Sequence, residues 1–251
     1  MTAVADSPLF FHDPLAPDMR ELTLSGDEAV HAGRSRRLGP GDGIALTNGR
    51  GLLGIGTVAE VTRQPPSMRV SMEHCSLVRA PAAEVVLATA LPKGDRLNTL
   101  LDMATQLGMQ VFQPLDCVRS VVRHQQKMTD RFRRVVMSAA KQCRQTRFPR
   151  IEEPRSVQQL LAGNGHDAAV IYGEPSGDSL CLAAQGIIRK PPRVVIVVGP
   201  EGGFDDGELE LLRNCSAMAV NCGSLILRTE TAALALLTTA DQWLSTLPET
   251  A

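Results

Sequence analysis

At 251 residues the chain has room for one α/β domain and a smaller companion. Its 43% hydrophobic and 21% charged residues are those of an ordinary soluble globular protein, which excludes a disordered or fibrous chain. Net charge is only −1, yet the ten Lys/Arg between Arg119 and Arg150 face a single acid, Asp130, a concentration that favours one polyanion-binding segment over general stickiness.

Residues 1–78 read as a small β-rich domain. Strand-like runs at Arg20–Leu24, Ile44–Thr47, Gly54–Val61 and Arg69–Glu73 are separated by Gly, Pro and Asn turns, a spacing that suits a small barrel. A short helix is predicted between Glu28 and Leu38, carrying His31, Arg34, Arg36 and Arg37. The boundary falls near Ala80-Pro81, and from Glu84 strands and helices alternate, the mark of a parallel-sheet α/β domain over 79–251. Glu84 to Leu91 is its first strand. Lys93-Gly94-Asp95-Arg96 opens a helix whose Leu97, Leu100, Leu101 and Ala104 share one face, and Gly108 stops it. Cations at a helix start oppose its dipole, which favours a functional reason for Lys93 and Arg96. A strand at Val111–Leu115 precedes the basic segment, where Arg119, Arg123 and Lys127 lead into a helix from Asp130 to Gln145. So many cations repel one another without anions, and phosphate is the expected partner. Aromatic residues make up only 3%, so recognition would rest on shape and phosphate rather than a stacking platform. Six cysteines (75, 117, 143, 181, 215 and 222) show no metal-like spacing and read as reduced thiols of a cytosolic protein that holds no zinc. Around Asp6, Pro8 and His12 no signal-peptide pattern is visible, and no apolar run is long enough to cross a membrane.

The last quarter is the richest. Val194–Val198 is an apolar β-branched run, read as a buried parallel strand, which breaks into Gly199-Pro200-Glu201-Gly202-Gly203-Phe204. Asp205 and Glu208 then form a capping-box pattern ahead of a helix. A second run, Ala217–Asn221, leads into Cys222-Gly223-Ser224-Leu225-Ile226-Leu227-Arg228-Thr229-Glu230-Thr231-Ala232 and an Ala/Leu-rich helix. Two glycine turns at the carboxyl ends of neighbouring parallel strands are where an open α/β sheet binds a ligand. Neither turn has Walker A or GxGxxG spacing.

This pair of segments resembles the signature of the ribosomal RNA small subunit methyltransferase E family, among the SPOUT methyltransferases. The resemblance implies a PUA-like RNA-binding barrel over 1–78 and a SPOUT α/β domain over 79–251 with a C-terminal trefoil knot. It implies methylation of N3 of one uridine near the 3′ end of 16S ribosomal RNA in the small ribosomal subunit, with S-adenosyl-L-methionine as cofactor, by a cytoplasmic homodimer without metal. Gly199, Glu201 and Gly202 would lie along one side of the cofactor, with Cys222, Gly223, Ile226, Leu227 and Thr231 on the other. Arg228 would stabilise the uridinate anion; Glu230 would orient it or act as base, against the competing reading of a first-turn acid complementing its helix dipole. His31, Arg34, Arg37, Lys93, Arg96, Arg123 and Arg147 would contact RNA. Leu9 and Leu225 stand where the family usually has arginine. A SPOUT enzyme for another RNA group, such as a transfer-RNA ribose 2′-hydroxyl, and a non-catalytic RNA-binding assembly factor are the alternative readings.

Overall fold

The computed structural model describes residues 7–165 and 167–249, so Asp6 lies outside the described residues. The chain divides into two units. One comprises the residues up to Ala80 together with Ala140–Phe148; the other comprises Pro81–Ala139 and the residues from Pro149 onward.

The first unit is a five-stranded sheet of β1 (Leu9–Phe11), β2 (Glu21–Ser25), β3 (Gly43–Thr47), β4 (Leu52–Arg63) and β5 (Pro66–Leu77), in the order β1-β3-β4-β5-β2. Only β1–β3 is parallel; the other pairs are antiparallel. In β2, Leu22 and Leu24 are buried between exposed neighbours, the period-two pattern of a strand with one wet face. The register of β4 against β5 shifts at Ile55/Gly56 and again at Val58/Glu60, and such bulges bend and twist long strands. Phe10, Leu24, Ile44, Leu46, Met68 and Val70 fill the core. The expected helix at 28–38 starts earlier, as α1 (Gly26–Val30), and continues as a π-helical turn over His31–Ser35.

Ala140–Phe148 is fastened to this unit by several bonds. Lys141 Nζ lies 2.5 Å from Glu28 Oε1, and Glu28 Oε2 accepts the Phe11 N–H at 3.1 Å. The Thr47 hydroxyl donates to the Thr146 carbonyl at 3.0 Å, and the Phe148 N–H to Gly49 O at 2.9 Å.

The second unit carries a six-stranded sheet of β6 (Glu84–Ala90), β7 (Val111–Leu115), β8 (Arg150–Ile151), β9 (Ala168–Asp178), β10 (Arg193–Val198) and β11 (Met218–Val220). The order is β11-β9-β10-β6-β7-β8, and every pairing is parallel. Central β10 is buried on both faces: Val194, Ile196 and Val198 enter one core, Val195 and Val197 the other. That is why it reads as an unbroken apolar run. The first core is covered by α2 (Arg96–Gln106), α3 (Gln126–Gln142), α5 (Leu180–Ala183) and α7 (Thr229–Thr246); the second by α4 (Val157–Gly163) and α6 (Asp206–Asn214). Helix α3 begins at Gln126, four residues before the expected Asp130, and buries Phe132, Val136 and Ala139. Its side chains Lys127, Arg131, Arg133 and Arg134 are exposed. Among the described residues no helix is long and apolar enough to cross a membrane.

Strand order decides where a ligand can sit. The chain steps inward from β9 to β10, then back over β9 to the edge at β11, and a reversal of this kind leaves a crevice outside the carboxyl ends. From β11 the chain returns through Asn221–Arg228 to α7, which packs on β6, β9 and β10.

Candidate functional site

A cavity of about 270 Å³ opens at that reversal. Its walls come from three segments: Gly173–Pro175 in β9, Val198–Glu201 with Gly203 and Phe204 after β10, and Val220–Cys222 with Leu225–Leu227 after β11. Thr229, Ala232 and Leu236 close it from α7.

The turn after β10 is built by its glycines. The Gly203 N–H donates to Pro200 O at 2.8 Å, closing a turn around Glu201-Gly202, and Gly203 itself has φ +70°, a left-handed value that side chains disfavour. A Cβ on Gly199 would stand 3.2 Å from the Phe204 ring, so glycine there lets Phe204 lie against the strand end. The Phe204 ring in turn meets Tyr172 edge-on at 6.5 Å. The expected capping box forms in full: the Glu208 N–H donates to Asp205 Oδ1 at 2.7 Å and the Asp205 N–H to Glu208 Oε2 at 3.0 Å. Glu208 Oε1 also accepts the Val118 N–H at 2.9 Å, and Arg119 Nη1 donates to both Gly202 O and Phe204 O at 3.0 Å.

Asn221 orders the opposite wall. Its Nδ2 donates to Pro175 O at 2.6 Å, and its Oδ1 accepts the Gly223 N–H at 2.7 Å, so one side chain joins two of the three wall segments. The Thr229 hydroxyl donates to Gly199 O at 3.2 Å and ties the first turn of α7 to the end of β10. Burial pushes the Cys222 thiol up, with the Thr239 hydroxyl partly opposing, so the wall it contributes is neutral at physiological pH.

Among the described lining residues Glu174 and Glu201 are the charged ones; no Lys or Arg lines the cavity. The cation that meets one of these carboxylates is Arg96. Its Nη1 lies 3.9 Å from Glu201 Oε1 and its Nε 3.9 Å from Glu230 Oε1. Both are long charge attractions, and the Glu201 pair, partly exposed on both sides, is worth about 0–1 kcal/mol. Glu230 Oε2 is buried without a hydrogen-bond partner. Electrostatically the cavity disfavours phosphate and favours a ligand carrying positive charge. Among the described residues no His/Cys/Asp/Glu cluster could hold a metal.

The sequence-expected residues sort clearly. Gly199, Glu201, Cys222, Ile226 and Leu227 line the cavity; Gly202, Gly223 and Thr231 belong to the same loops and first helical turn without lining it. Arg228 is exposed at the N-cap of α7, and Glu230 follows in the first turn. The side chain engaged by Glu230 is that of Arg96, where the sequence reading gave it Arg228. Arg34, Arg37 and Lys93 are exposed, and the His31 ring packs edge-on against Phe10 at 5.5 Å. Arg123 is half-exposed, 3.5 Å from Asp116. Arg147 is committed inside its own unit: Nη1 donates to Arg50 O at 2.7 Å and Nη2 to Val78 O at 3.0 Å. Sequence reasoning missed Glu174, Asn221 and Thr229. Helix phase could have found the last, since Thr229, Ala232 and Leu236 share a face while Thr231 is turned about 200° away.

Residues 79–241 match the RNA methyltransferase domain, and residues 24–66 match the RNA methyltransferase PUA domain. The chain is 32% identical over 237 residues to the ribosomal RNA small subunit methyltransferase E of Mycobacterium bovis, covering 90% of this chain and 87% of that protein. The chain belongs to the ribosomal RNA small subunit methyltransferase E family. The family member from Bacillus subtilis is 31% identical over 222 residues, covering 85% of this chain and 86% of its own length. The crystal structure of the Neisseria gonorrhoeae member bound to S-adenosyl methionine has the same fold, with a TM-score of 0.82 at 23% identity over 94% of this chain and 98% of that one. The second unit is therefore a SPOUT-type α/β domain of this family, and the first is PUA-like.

Proposed function

We propose that the chain transfers a methyl group from S-adenosyl-L-methionine to N3 of uridine 1498 of 16S ribosomal RNA, within the small ribosomal subunit. The observation that carries this reading is the cavity: residues of two turns line it, and among the described residues two carboxylates but no lysine or arginine do. A sulfonium- and ammonium-bearing donor suits such a lining; a nucleoside phosphate does not. Membership of the family supports it, as does the donor bound in the gonococcal relative.

Gly199, Glu201, Cys222, Ile226 and Leu227 would hold the donor, which supplies a methyl already activated for transfer. The remaining work falls to the chain: aligning the uracil nitrogen, handling its proton and balancing the charge left behind. Glu230, whose Oε2 is buried without a partner and whose Oε1 lies 3.9 Å from Arg96 Nε, is the proposed acceptor for the N3 proton. Arg228, exposed beside the cavity-lining Leu227 and Thr229, would stabilise the uridinate. Exposed Arg34, Arg37, Lys93 and Arg123 are the proposed phosphate contacts. We further propose that the Cys222–Arg228 segment is the threaded part of a trefoil knot and that the protein is a cytoplasmic homodimer. Leu225 and Ile226, 78% and 91% exposed at the cavity rim, are apolar surface suited to cover by a partner. Any interface on α7 would have to avoid Leu236, Leu237 and Trp243, which are core.

The test uses small ribosomal subunits from a strain lacking this gene, incubated with the purified chain and isotopically labelled donor. Mass mapping should place one new methyl on N3 of that uridine. A methyl on a ribose hydroxyl or at another nucleotide would overturn the target, and no transfer at all would overturn the enzyme reading.

A further inference from the structure

Arg119 opens the basic segment and by sequence belongs with its phosphate-binding cations, but its side chain is used elsewhere. Nη1 donates to Gly202 O and to Phe204 O, both at 3.0 Å, bracketing Gly203. The preceding residue, Val118, gives its N–H to Glu208 Oε1 at 2.9 Å, and the other Glu208 oxygen takes the Asp205 N–H. Glu208 is 93% buried, its relative exposure being 7%. Two consecutive residues after β7 thus hold the Pro200–Asp205 turn, Arg119 directly through two hydrogen bonds and Val118 through Glu208, although they lie 83 or more residues away in sequence.

We propose that Arg119 is a positioning residue for the methyl-donor loop and not a phosphate contact. The inference rests on reading the cavity as the donor site. Glu201, Gly203 and Phe204 line that cavity, and the turn carrying them contains two glycines, which leave it many alternative conformations. Holding Gly202 O and Phe204 O fixes the turn before the donor arrives. Without the guanidinium, ordering the turn becomes part of the cost of binding, so the loss falls on donor affinity. Once the donor is seated the turn is already ordered, and the transfer step is spared.

The experiment compares the full-length protein with Arg119→Gln and Arg119→Lys. Donor affinity is read by calorimetry with S-adenosyl-L-methionine, RNA affinity by titration at several salt concentrations, and turnover by steady-state methylation. Arg119→Gln should raise the donor Kd and KM about 5–30-fold. It should leave kcat at saturating donor within about twofold and the salt slope of RNA binding unchanged, where loss of one phosphate contact would lower that slope by about 0.7–0.9. Arg119→Lys, with one nitrogen in place of the fork, should fall between. A donor Kd within twofold of wild type in Arg119→Gln overturns the proposal, as does a lowered salt slope with donor affinity intact. If the glutamine variant does not fold, a wild-type donor Kd in Arg119→Lys overturns it alone. Amide exchange of Gly202–Glu208 in the ligand-free protein reads the clamp independently of the functional reading. Faster exchange in the variant supports it even if wild type binds no donor, whereas unchanged exchange overturns it.

Discussion

Asn221 offers the sharpest perturbation of the cavity. Its two hydrogen bonds, 2.6 Å to Pro175 O and 2.7 Å from the Gly223 N–H, link the β9 wall to the turn after β11. Each such bond contributes about 0.5–1.5 kcal/mol net, so Asn221→Ala removes about 1–3 kcal/mol of loop ordering. Pro175 and Gly223 are exposed, so water replaces the lost partners and little of this penalty falls on global stability. The donor must instead order the loops itself. At 1.4 kcal/mol per tenfold, its Kd should rise about 5–150-fold. Asn221→Asp keeps the acceptor for Gly223 but loses the donor to Pro175 and adds a charge, so it should be no better. Calorimetry with S-adenosyl-L-methionine, run beside thermal unfolding, makes the measurement. A Kd within twofold of wild type in Asn221→Ala would show that the two walls are held by something else, and the reasoning fails.

Thr229→Val keeps shape but removes the hydroxyl that Gly199 O accepts; with Thr229 only 4% exposed, it should lower stability by about 1 kcal/mol and weaken donor binding, read by denaturant unfolding and calorimetry. Arg123→Ala should flatten the salt dependence of RNA binding by about 0.7–0.9 in slope, whereas Arg147→Ala, whose guanidinium is spent on Arg50 O and Val78 O, should lower the melting temperature and leave that slope alone. The Cys117 thiol is pushed up to about 12 by burial and the nearby Glu208 carboxylate, from an ordinary 9.0. An unfolded chain therefore loses that proton first, and stability should fall as pH rises from 9.0 towards 12; Cys117→Ala should unfold with a shallower alkaline slope in that window.

The parallel sheet was legible where its strands begin as apolar runs, and β10, with valine or isoleucine at every position from 194 to 198, shows this most plainly. The capping box at Asp205 and Glu208 was legible because both partners lie three residues apart, and both bonds form. Strand β1, at three residues, is too short to show a period. Strand β9 continues past Tyr172 to Asp178 through Gly173, Pro175 and Gly177, residues that read as breakers, which is why Glu174 escaped notice. The cations are the clearest lesson. Arg96, Arg119 and Arg147 look alike in sequence, yet one meets two carboxylates, one grips a turn and one is spent on backbone carbonyls. Those partners are far away along the chain, and no local pattern encodes them.

The most direct test is a crystal structure of this chain grown with saturating S-adenosyl-L-methionine. The account predicts the adenosyl group between Gly199–Phe204 and Asn221–Leu227, with backbone atoms of both turns against it and no cationic side chain beside the sulfonium. A donor bound outside that cavity, or a cavity still empty when calorimetry reports a bound donor, would contradict it.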